Sequence, residues 1–167
     1  MKRLALVLLT FAALSCILHA QEKRLSKAAI EIRGTKLRLR MTKAAVTEKL
    51  AGTEITKIHD NEWIAGSPEH LGPTLQFTDG SLSFADREWT TGYNDTGEAL
   101  FGVVNSLNSE GFSSCSVRAD THSSPDIVSQ RVWIDCGEKT IVLIRRSISG
   151  KTFTSVMEQL GTMRDVH

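Results

Sequence analysis

The sequence predicts an α+β fold, with one antiparallel sheet carrying helices packed on one face. Three observations predict it. Helical stripes around 42–52 and 95–111 each precede runs of alternating apolar residues. Asp79-Gly80 stands between the alternating runs Leu75-Gln76-Phe77 and Leu82-Ser83-Phe84, a strong hairpin signal. Cys115 and Cys136 are placed so that they can face each other across an antiparallel pair. The expected plan is two tandem α-β-β-β units, about 36–91 and 95–148, followed by a C-terminal helix over about 152–160.

Residues 1–20 read as a secretory signal peptide. Lys2 and Arg3 precede an apolar run, Leu4 to Leu14, broken only by Thr10, and Ala20 closes the segment before polar residues. The run is too short for a membrane-spanning helix, which needs about 20 apolar residues. A second reading uses Cys16: Ala13-Leu14-Ser15-Cys16 is similar to a bacterial lipobox, in which the cysteine is acylated. The chain is therefore expected in the periplasm or outside the cell, diffusing or tethered through Cys16, with 21–167 as a single domain. Its 41% hydrophobic and 23% charged content is that of a globular protein, not a disordered or multi-span one. A net charge of +1 argues against a nucleic-acid binder.

The elements follow in order. Residues 21–27 form a polar arm, and 28–33 alternate weakly up to Gly34. Lys36-Leu37-Arg38-Leu39-Arg40 alternates strictly, so an extended chain puts three cations on one face, which is either the solvated face or edge of a strand or a strip for an anionic partner. Thr42 suits a helix N-cap, Met41 and Val46 a hydrophobic staple, and Gly52 a left-handed stop. Two extended pieces, 54–59 and 62–66, turn near Asp60-Asn61. Across Asp79-Gly80, Phe77 is expected opposite Leu82, and Leu75 opposite Phe84. Asp95 and Glu98 have capping-box spacing, and Leu100, Val103, Val104 and Leu107 make the stripe of the second helix. Strands at about 113–120, 127–136 and 140–147 follow. The last helix turns Phe153, Val156, Met157 and Leu160 inward between Gly150 and Gly161.

The cysteines fix one register. With Cys115 opposite Cys136, Val117 meets Ile134 and Ala119 meets Val132 on one face. On the other face Arg118 meets Trp133, a cation–π contact, and Asp120 meets Arg131. A disulfide between two cysteines of an exported chain fits this geometry.

Catalytic chemistry lacks its parts. The sequence has no HExxH, CxxC or GxSxG. Ser149-Gly150-Lys151-Thr152 imitates the tail of a phosphate-binding loop, but Arg145 stands where that motif needs glycine. His59, His70, His122 and His167 read as surface residues, and Glu62, Asp86 and Glu88 as strand-face acids. No catalytic residue, metal or cofactor is assigned. Asn94-Asp95-Thr96 matches a glycosylation sequon.

Leu39-Arg40-Met41-Thr42-Lys43-Ala44-Ala45-Val46, then Leu50-Ala51-Gly52, resembles the start of the SmpA/OmlA, or BamE-like, domain, with Trp63 and the 75–84 hairpin in matching places. The resemblance covers about residues 36–90. The family usually has glycine where Arg40 stands. The tandem order also resembles the β-lactamase-inhibitor-protein fold. These resemblances imply an exported binding or scaffold module without catalytic residues. The expected function is thus protein binding or envelope scaffolding through Lys36, Arg38, Arg40, Trp63 and Trp89. The alternatives are a small exported hydrolase with a scattered site and a secreted enzyme inhibitor.

Overall fold

A computed structural model describes residues 25–66, 72–89, 96–125 and 127–162. The export segment, Cys16, His70, His167, Asn94 and the expected cap Asp95 lie outside these residues. Among the described residues the elements are β1 (Ile30–Ile32), β2 (Thr35–Leu37), α1 (Lys43–Lys49), β3 (Ile55–His59), β4 (Glu62–Ala65), β5 (Thr74–Thr78), β6 (Ser81–Glu88), α2 (Thr96–Ser109), β7 (Ser116–Ser123), β8 (Ile127–Asp135), β9 (Lys139–Ile148) and β10 (Lys151–Gly161).

The α+β expectation is overturned. Among the described residues the protein is mostly β, with 54% strand against 17% helix. Beside an eight-stranded antiparallel sheet and the small β1–β2 hairpin, helices of 7 and 14 residues are minor elements. The sheet runs β3-β4-β5-β6-β10-β9-β8-β7. It consists of two four-stranded meanders, where three strands each were expected. They join through their last strands, with Ala85 opposite Leu160 and Arg87 opposite Glu158.

The C-terminal helix is in fact β10. Ser149 and Gly150 both have positive φ, +50° and +79°, and link the paired residues Ile148 and Lys151. Such a two-residue turn matches the twist of a hairpin, so it sends the chain back as a strand. Thr154, Val156, Glu158 and Leu160 then point inward, with period 2 rather than 3.6. Gly161 stops no helix. It lies opposite Phe84, and a Cβ there would overlap the Ser83 carbonyl oxygen.

The first meander also departs from the expected register. Phe77 pairs with Leu82, but Leu75 pairs with Ala85 and Gln76 with Phe84. Ser83 is the extra residue of a β-bulge, and its hydroxyl donates to the Gln76 carbonyl oxygen at 3.1 Å. The bulge puts Phe84 on the face opposite Leu75.

Helix α1 forms as its residues dictate. Thr42 Oγ1 accepts from the Ala45 amide at 3.2 Å, Val46 and Leu50 are buried, and Gly52 has φ +84°. Helix α2 is rotated from its expected stripe. Ala99, Val103 and Leu107 are buried, whereas Leu100 and Val104 are exposed.

Two apolar clusters fill the core. One joins Ile30, Ile32, Leu37, Val46 and Leu50 to Trp63, Leu75, Phe77 and Leu82. The other joins Ala99, Val103 and Leu107 to Ile134, Ile141, Leu143 and Val156. The β7–β8 register is the expected one. Val117 faces Ile134, Arg118 faces Trp133, Ala119 faces Val132 and Asp120 faces Arg131. Cys115 and Cys136 are disulfide-bonded, with Cα atoms 4.3 Å apart.

Candidate functional site

The most unusual chemistry lies where β6, β9 and β10 meet α2. Lys139 and Glu158 are side chains only 1% and 2% exposed, and Lys139 Nζ lies 2.5 Å from Glu158 Oε1. Lys139 also donates to Glu110 Oε1 at 2.5 Å and to the Ala29 carbonyl oxygen at 2.9 Å, so all three ammonium protons have acceptors. Glu158 Oε2 accepts from Arg87 Nε at 2.6 Å and from Trp89 Nε1 at 2.8 Å. Burial pushes the Glu158 carboxyl up. The attraction of Lys139, its hydrogen bond, Arg87 and Trp89 together outweigh burial, and the group is held below its ordinary value.

A polar cavity of about 350 Å³ opens beside this network. The β1–β2 hairpin supplies Glu31 and Lys36 and the adjoining chain Lys27, Ala29 and Arg38. Arg87 and Glu158 come from the central strands, and Ser106, Ser109 and Glu110 from the end of α2 and the residue after it. Arg87 Nη1 donates to the Glu31 carbonyl oxygen at 2.6 Å, which ties the hairpin to the sheet. Neither His59 nor His122 lines this cavity.

A second feature lies on the sheet face that neither core cluster uses. Arg118, Trp133, Val142, Met157 and Glu88 lie directly opposite one another on five successive strands. The Arg118 guanidinium sits 4.3 Å from the Trp133 ring centroid. Asp120 accepts from Trp133 Nε1 at 2.9 Å and from Arg131 Nε at 2.8 Å. These hydrogen bonds, the indole's first and then the guanidinium's, hold the Asp120 carboxyl below its ordinary range. Phe153, further along the same face, is 54% exposed.

Asp86 lies on this face as well, and it accepts from the Thr74 amide at 2.7 Å. Burial raises its carboxyl above the ordinary 3.8, more than the Thr74 hydrogen bonds lower it. A raised acid favours the fold below pH 3.8, a contribution lost as pH rises through the folded value. Asp86→Asn keeps an acceptor for Thr74 and removes the charge. At pH 7 we expect it to match or exceed the parent by up to about 0.5 kcal/mol in urea unfolding, with the advantage gone at pH 3.

The expected contact residues scatter. Lys36 and Arg38 line the cavity, and Arg38 Nη1 donates to the Ser26 carbonyl oxygen at 3.2 Å. Arg40 does not continue their strip: β2 ends at Leu37, Arg40 has φ +69°, and it pairs with Glu138 at 2.7 Å. Trp63 is a core residue, 5% exposed, packed on Phe77 with ring centroids 4.4 Å apart, so it offers no contact surface. Trp89 is half-buried and committed to Glu158. Sequence reasoning missed Lys139, Glu158 and Arg87. The signal was present, as Glu158 sits in phase with Val156 and Leu160. No family model, curated protein or solved structure matches this chain.

Proposed function

We propose that this is an exported, non-enzymatic module that binds another protein through the sheet face centred on Trp133. Arg118, Trp133 and Met157, in one row with the buried Val142 between them, carry the reading. Arginine, tryptophan and methionine are enriched in protein interfaces, and here they adjoin the exposed Phe153. The disulfide is consistent with an oxidising compartment, and export through residues 1–20 belongs to the same proposal. So does kinship with the BamE-like domain, supported by the capped α1 followed by the Trp63 strand and the 75–84 hairpin. Intact mass of the native protein distinguishes a chain starting at Gln21 from one acylated at Cys16.

A photo-crosslinking amino acid placed at Phe153 tests the binding reading in the native compartment. The expected result is one discrete protein adduct that is absent when the probe stands at Ile58, an exposed residue of the edge strand β3. Equal labelling from both positions, or none from Phe153, overturns it.

A further inference from the structure

We infer that the cavity between the β1–β2 hairpin and the end of α2 binds a small anion bearing phosphate or carboxylate groups. The argument starts from its charges. Four cationic side chains line it, Lys27, Lys36, Arg38 and Arg87, against three acids, Glu31, Glu110 and Glu158. Two of those acids are already neutralised: Glu110 by Lys139, and Glu158 by Lys139 and Arg87. Glu31 is the remaining acid. By contrast Lys27, Lys36 and Arg38 form no ion pair among the described residues, and the Arg87 Nη2 group donates to none of them. The α2 C-terminus adds about half a negative charge, less than one lysine supplies. The lining therefore keeps an excess of uncommitted cations around a recess.

Its shape and rigidity suit the same ligand. A volume of about 350 Å³ falls at the lower end of small-molecule pockets. The floor is fixed by Arg87 and Glu158, with the buried Lys139 behind them, so the site does not reorganise to accept charge. The lysines bring mobile point charges, Arg38 brings a planar guanidinium that suits the paired oxygens of phosphate and carboxylate, and Arg87 adds its Nη2 group. Ser106 and Ser109 add hydroxyls at the wall. This site is separate from the Trp133 face, and the two proposals fail independently.

Amide NMR titration of the native protein with inorganic pyrophosphate and, separately, with citrate at constant ionic strength tests it. We expect saturable shifts centred on Ala29, Lys36, Ser106 and Ser109. Affinity should fall about tenfold or more in Lys27→Gln/Lys36→Gln, and again in Arg38→Gln. Both lysines are exposed, so an unchanged melting curve separates lost binding from lost folding. Tighter pyrophosphate binding identifies a phosphate ligand and tighter citrate binding a carboxylate, and both support the site. No saturable shift up to about 10 mM, or equal affinity in the double variant, overturns it. The Phe153 cross-link should be unaffected by either cavity variant.

Discussion

Replacing Lys139 with methionine should lower the unfolding free energy by about 3–5 kcal/mol, the cost of breaking a buried ion pair from one side. The variant leaves the Glu158 carboxylate buried, facing only Arg87 and Trp89. The sign with pH is opposite in the two proteins. In the parent, Glu158 is held below its ordinary 4.5, so its stabilisation is present above pH 4.5 and is lost as pH falls through the folded value. In Lys139→Met the stranded carboxylate gains by taking up a proton, so the deficit should shrink on acidification. Urea unfolding at pH 7 and pH 4 checks both statements. The companion variant Lys139→Met/Glu158→Leu removes both charges and should recover most of the loss, because paired apolar replacements avoid the desolvation cost. A single-variant loss under about 1 kcal/mol would show that water reaches the pair.

Removing the disulfide is the second large effect. Cys115→Ala/Cys136→Ala opens a loop of 21-residue separation, for which chain entropy gives about 3 kcal/mol. The structural consequence should be local. β7 is an edge strand, held in the sheet by β8 alone. The disulfide pins the end of that pair away from the turn, continuing the register in which Ser116 faces Asp135. Amide exchange should therefore accelerate first at Ser116 to Asp120, while β9 and β10 keep their protection. Uniform acceleration through all eight strands would mean that the disulfide stabilises the whole fold and not its edge.

Much of the local architecture was legible because it depends on neighbouring residues. Thr42 caps α1 and Asp79-Gly80 turns a hairpin, with φ +51° and +72° at the two turn residues. Both follow from backbone preferences that distant contacts do not change. The β7–β8 register was legible for a different reason. The two cysteines fix the alignment, and the alternation then sorts Val117 and Ile134 from Arg118 and Trp133. The bulge at Ser83 was not legible, since one extra residue leaves the alternating pattern intact on paper. Nor was the rotation of α2: Leu100 and Val104 are as apolar as Val103 and Leu107, and only the position of the sheet selects the buried side.

The contact residues show the same division. Lys36 and Arg38 were singled out by alternation, and both line the cavity. Arg40 left the strip because the chain turns at positive φ there, and Trp63 left the surface because Phe77 packs on it. Trp89 and Trp133 are told apart only by their partners, Glu158 for one and Arg118 with Asp120 for the other.

By itself the sequence determined the turns at Asp60-Asn61 and Asp79-Gly80, the first helix, the paired cysteines and the alignment they impose. These are matters of short range or of one covalent link. Only the tertiary structure decided that 151–161 is a strand. A glutamate at an inward position breaks the apolar alternation that marks a strand, and Glu158 is tolerable there because Lys139 on β9 lies beside it and neutralises it. That complementarity joins residues far apart in the chain. It exists only once β9 and β10 are side by side, where low dielectric makes the paired charges attractive and an unpaired one costly.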